Sequence, residues 1–202
     1  MPVSLTEWIA VVLALAYVVL ATRQNRWCWP AAGVSCAIYL VLFARAGLPM
    51  QVALQAYYVV MAFYGWHAWR ASHHQDQELP VTVRPLRWHV GVLAVVTVLT
   101  VVNGRLTSGE EPSLVPYVDS AVAWGSVVAT WLMTRKVMEN WLYWIVFDLL
   151  AAGLYFSQGF YATTVLFLIY VVLAVRGYFE WRADAASDAL AAVETSGGIA
   201  GE

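Results

Sequence analysis

Polar positions are scarce along most of this chain and gather at intervals. Between them run apolar blocks about twenty residues long, which is roughly the length a helix needs to cross a hydrocarbon core of about 30 Å. The blocks predict helices over about 3–22, 27–44, 49–69, 88–104, 115–134, 141–157 and 160–181. Gly47, Pro49, Pro112, Pro116 and Gly159 fall at or near the ends of these blocks, where helix breakers belong. A polar stretch, RASHHQDQELPVTVRPLR, separates the third block from the fourth, and the Ala-, Ser-, Gly- and acid-rich residues from Ala183 onward predict a disordered tail.

Sliding the chain along itself by 112 residues gives an ungapped match. Glu7 falls on Asp119, Thr22-Arg23 on Thr134-Arg135, Trp29 on Trp141 and Gly47 on Gly159. Tyr58, Gly65 and Trp69-Arg70 fall on Tyr170, Gly177 and Trp181-Arg182. Apolar coincidences are cheap in such a chain, but aligned Arg, Gly and Trp positions are not, so the match predicts an internal repeat. The expected fold is an all-α membrane protein of seven transmembrane helices, two parallel three-helix repeats joined by a linker helix (3+1+3). Repeat 1 covers 1–70, the polar linker and fourth helix 71–113, repeat 2 114–182, and the tail 183–202. Three crossings are an odd number, and the fourth helix returns the chain so that both copies enter in the same sense.

Composition supports the bilayer. The chain is 61% hydrophobic and 12% charged, with a mean hydropathy of +0.65, against about 45–50% and about 25% in soluble domains. Basic residues Arg23, Arg26, Arg70, Arg84, Arg87, Arg135, Lys136 and Arg182 share one face, and only Arg45 and Arg105 lie on the other. The positive-inside rule makes the first face cytoplasmic, with the N-terminus outside and the C-terminus inside. The first block lacks a basic leader, so it is expected to remain as a helix. A net charge of −2 points to no nucleic-acid partner, and Cys28 and Cys36, eight apart on one helix, form neither a disulfide framework nor a metal site.

Against this background Asp148 stands out, because it sits near the middle of the sixth span, in ENWLYWIVFD followed by more apolar chain. A carboxylate there costs several kcal/mol unless it meets water, a cation or hydrogen-bond donors. It is either a protonated or paired structural group or a cavity-facing counter-charge for a solute. Trp141, Trp144 and Asp148, at i, i+3 and i+7, share one helical face. Such a wall attracts flat or cationic ligands, with an interfacial belt as the alternative for Trp141 in particular. Gln55 and Tyr58, on the third span, are further contact candidates, with helix–helix hydrogen bonding the other role open to Gln55. Trp66 and Asn140 sit near the basic end, and Glu7 and Asp119, at equivalent repeat positions near the opposite end, are candidates for a mouth or gate. His67, His73, His74 and His89 form no ligand set, and neither a cofactor nor a metal is expected. The chain has no HExxH, no GxSxG and no His near Asp148, which argues against an enzyme; a cargo-free scaffold would gain nothing from a midplane acid.

The segments LQAYYVVMAFYGWHAW, VPYVDS and LMTRKVMENWLYWIV, in that order, resemble the PnuC-type vitamin transporters, which are similar in architecture to the SWEET-type sugar facilitators. The resemblance runs from the first helix to about Trp181. It implies facilitated diffusion of nicotinamide riboside across a bacterial inner membrane, made directional by a cytoplasmic kinase that traps the product. It allows a homo-oligomer, a trimer, in the bilayer. Riboside hydroxyls would meet Gln55, Asn140 or Asp148. Where riboside-type relatives carry asparagine, this chain has Cys36, Ala62, Asp148 and Arg176. Thiamine, also cationic and carried by some of these transporters, is the alternative cargo.

Overall fold

The computed structural model describes residues 5–45, 47, 49–71, 79–109 and 113–197, with side chains for all of these except 7, 49, 50, 71, 162 and 188–197. Seven helices make up the described chain: α1 (Leu5–Thr22), α2 (Cys28–Arg45), α3 (Pro49–Ala71), α4 (Leu86–Thr107), α5 (Val115–Thr134), α6 (Asn140–Ser157) and α7 (Tyr161–Gly197). At about 1.5 Å per residue, the first six are about 27 to 35 Å long, enough to cross a bilayer core. Three stretches, 28–45, 86–107 and 163–187, are long and apolar enough to do so by length and composition alone.

Helix α7 departs from the expectation of a disordered tail from 183: it continues to Gly197. Low hydrophobicity hides a strong local preference here, because ADAASDALAAVE is rich in alanine, the best helix former. At 37 residues α7 is about 55 Å long and extends well past a membrane.

Packing follows a ring. α1 packs on α2, α2 on α3, α3 on α5, α5 on α6, α6 on α7 and α7 on α1, while α4 lies outside against α5, with His89 reaching Tyr143 of α6. The outer faces are apolar and exposed, as lipid contact requires; α4 alone presents Leu86, Val90, Val95, Val98 and Leu106. Basic residues mark one end of the ring, called here the basic end.

Residues 112 apart do the same things in the structure. Gly47 and Gly159 both adopt left-handed backbone, φ 71° and 79°, just past α2 and α6, where glycine ends a helix without a Cβ penalty. At the basic end the equivalent turns after α1 and α5 put Gln24 (φ 51°) and Lys136 (φ 47°) in that same conformation, at a cost of about 1–2 kcal/mol for a non-glycine residue. In both, the next amide closes the helix: Asn25 N–H donates to Leu20 O, and Val137 N–H to Leu132 O.

The core sits at the basic end and is built on tryptophan. Trp29 meets Trp69 edge to face at 5.4 Å and 89°, and Trp141 meets Trp181 at 5.4 Å and 88°. Each indole of the first pair member lies on a glycine. A Cβ at Gly65 would overlap Trp29, and one at Gly177 would come within 2.7 Å of Trp141. The second members stitch the seams between the halves. Trp69 Nε1 donates to Thr134 O across α3–α5 (3.2 Å), and Trp181 Nε1 to Ala21 O across α7–α1 (3.1 Å).

Candidate functional site

The ring encloses a cavity of about 940 Å³, at the large end of the usual range for ligand pockets. Its floor is Trp29, Trp141, Ala21 and Met133, above the tryptophan pairs at the basic end. Its mouth, at the opposite end, is ringed by Gln51, Thr107, Pro116 and Gln158.

Helical periodicity explains which side chains face in. From α6 come Trp141, Trp144 and Asp148, and from α2 their repeat equivalents Trp29, Ala32 and Cys36. α5 supplies Asp119, Ala123, Ser126, Thr130 and Met133, spaced i, i+4, i+7, i+11 and i+14; α3 supplies Gln51, Leu54, Tyr57 and Tyr58; α7 supplies Phe167, Tyr170 and Ala174. Tyr58 and Tyr170, again 112 apart, both line the cavity.

Asp148 is 6% exposed and lines the cavity. Among the described residues it makes no hydrogen bond or ion pair. Among the described residues Asp119 is the other carboxylate on the wall, near the mouth and exposed, and no Lys, Arg or His lines the cavity. Ten lining residues are aromatic: Tyr17, Trp29, Tyr57, Tyr58, Trp124, Trp141, Trp144, Tyr155, Phe167 and Tyr170; the hollow is thus walled largely by rings, with acidic but no basic side chains among the described residues. Two floor residues, Trp29 and Trp141, have buried indole N–H groups without a protein acceptor among the described residues. Tyr57 OH donates to Val127 O (2.8 Å), tying α3 to α5 beside the hollow.

The structure brings Tyr58, Trp141, Trp144, Asp148 and Asp119 to one cavity and leaves three sequence candidates off its wall. Gln55 lies on a neighbouring face of α3, its Oε1 buried without a donor among the described residues; Gln51, one turn earlier, occupies the wall instead. Trp66 packs at the basic end against Trp27 (5.4 Å) and under Arg26 (5.8 Å), as an anchoring residue does. Asn140 is fully buried below the floor, where its Nδ2 donates to Val137 O (2.7 Å) at the start of α6. Glu7 belongs to the first turn of α1, but its side chain lies outside the described residues, as do His73 and His74. Sequence reading passed over Ser126, Thr130 and Tyr57. The stripe of small polar residues from Asp119 to Thr130 was the available signal, and it is easily taken for ordinary helix packing.

A six-helix ring around a hollow that holds an unpaired acid is the build of a membrane transporter. Residues 4–183 match the family model described as nicotinamide mononucleotide transporter, and the chain belongs to that family, whose members carry solutes rather than transform them. It is 25% identical to the nicotinamide riboside transporter PnuC of Escherichia coli, over 73% of this chain and 72% of that one. It is 27% identical to the riboflavin/roseoflavin transporter RibM of Streptomyces davaonensis, over 87% and 84%. A crystal structure of the vitamin B3 transporter PnuC shares the fold, with a TM-score of 0.67 at 21% identity, covering 89% of this chain and 81% of that one.

Proposed function

We propose that the protein carries a flat, positively charged vitamin precursor, nicotinamide riboside, by facilitated diffusion across a bacterial inner membrane. The observation that carries this reading is Asp148, buried and, among the described residues, unpartnered in a cavity with no basic lining residue. A buried carboxylate without a partner is costly, and a pyridinium ring that slides between Trp144 and the tyrosines would both neutralise it and stack, at about 0.5–2 kcal/mol per aromatic contact. Tyr58 and Ser126 bring hydroxyl groups to the same wall for the solute's hydroxyl and ring oxygens. Asp148 and Asp119 lie at different depths and form no acid pair, which supports passive carriage over proton coupling. With the basic end toward the cytoplasm, entry is from the mouth, and phosphorylation by a cytoplasmic kinase makes uptake directional.

A second reading, a riboflavin carrier, is favoured by the coverage of the RibM match and by a hollow roomy enough for three fused rings. The two separate in a titration. Purified protein is titrated calorimetrically with nicotinamide riboside, thiamine and riboflavin, with Asp148→Asn alongside. The first reading expects riboside binding that Asp148→Asn weakens about tenfold, equivalent to about 1.4 kcal/mol. Binding of riboflavin alone, indifferent to that substitution, would establish the second reading. Thiamine bound in preference to riboside would keep the cationic site and change the cargo.

A further inference from the structure

We infer that Gln24, Lys136 and the strap of residues 79–85 form the lock that holds the basic end of the pathway shut. The inference rests on the reading of the cavity as the path of the solute, but not on which solute it is.

Four comparable turns end α1, α2, α5 and α6. The two at the mouth end use glycine for the left-handed residue, Gly47 and Gly159, and the two at the basic end use Gln24 and Lys136. Glycine would be the cheaper choice at all four. What the costlier residues add is side chain, and those side chains meet. Lys136 Nζ donates to Gln24 Oε1 at 2.8 Å, joining positions 112 apart in the sequence at the centre of the closed end. Gln24 Nε2 passes the connection on to Asp184 Oδ2 of α7 at 2.6 Å. Lys136 is only 4% exposed, and its ammonium sits 4.9 Å from the centre of the Trp69 ring, the same indole that stitches α3 to α5. One chain of contacts thus links the α5–α6 turn, the α1–α2 turn, α7 and the seam tryptophan.

The strap covers this chain from one side. Thr82 N–H donates to Lys136 O (2.9 Å), and Met138 N–H donates to Thr82 O (2.8 Å), a short parallel pairing that pins the very residue bearing the lock. Arg84 N–H donates to Glu139 Oε1 at 3.1 Å. Leu79 and Val81 pack onto the tryptophan cluster beneath. None of these groups lines the cavity, so the lock acts on closure and leaves the binding walls untouched. For the floor to open, Lys136 must leave Gln24 and the strap must lift.

Cys36 reports on this directly, because it lines the cavity while the other cysteine, Cys28, is fully buried and can be replaced by alanine. Full-length Cys28→Ala protein in liposomes is labelled with a membrane-impermeant methanethiosulfonate applied to one face at a time. Parent protein should react from the mouth face and slowly from the basic face. Gln24→Gly with Lys136→Gly should raise the basic-face rate about tenfold or more, the scale set by losing hydrogen bonds to a charged group. Glycine suits the left-handed turn, so that variant should keep its melting temperature. Thr82→Pro, which removes the strap's donor, should raise the same rate. An unchanged basic-face rate in the folded glycine pair, with mouth-face labelling intact, would overturn the lock. An increase for the glycine pair but none for Thr82→Pro would remove the strap from it. Labelling from neither face would instead overturn the cavity as an aqueous path.

Discussion

Asp148 and Cys36 hold equivalent places on α6 and α2, both on the cavity wall, yet only the first offers a carboxyl group to a cation. Asp148→Asn should therefore weaken a cationic ligand about tenfold while leaving a neutral ring compound of the same size unaffected, as calorimetric titration would show. Glycines give a second residue-scale test. Gly177→Ala pushes a methyl into Trp141 and should cost about 1–3 kcal/mol, whereas Gly153→Ala, with open space around it, should be neutral or gain up to about 1 kcal/mol from helix propensity. Thermal unfolding in detergent compares the two. Asp148, Trp141 and Trp144 were legible because charge is rare in apolar sequence and their spacing fixes a face. Gln55 shows the limit: polarity indicates that a residue avoids lipid, but the rotation of α3, set by its neighbours, decides between Gln55 and Gln51.

At the scale of elements, the paired tryptophans do more than an interfacial belt. Trp141 and Trp181 are essentially buried, and Trp69 and Trp181 each donate one hydrogen bond across a seam. Trp69→Phe and Trp181→Phe should each lower stability by similar amounts, about 1 kcal/mol for the bond, in the same unfolding experiment; a large inequality would mean that the seams are not equivalent. The helix boundaries were readable from the sequence to within a few residues, since Gly47, Gly159 and Pro116 carry their own conformational instructions. The extension of α7 was not, because hydropathy measures transfer to lipid and is silent about alanine's preference for helix. Nor could the strap be read: Thr82 meets Lys136 through backbone atoms, which any sequence supplies.

Across the whole molecule, the seams α3–α5 and α7–α1 are one kind of contact made twice, and the hollow lies between them. Asp148 has no second carboxylate at its depth among the described residues, which favours carriage without a proton gradient. Uptake into liposomes with an enclosed kinase should thus persist when the gradient is collapsed, and its loss would mean ion coupling. Two identical three-helix chains could close the same ring as a symmetric pair, but every group on one wall would then recur on the other. A dyad admits charges only in twos, and two carboxylates facing across a narrow hollow would repel each other or share a proton. Joining the halves in one polypeptide frees equivalent places to differ: a carboxyl at Asp148 stands where the other half has the thiol of Cys36, and an indole at Trp144 where it has the methyl of Ala32.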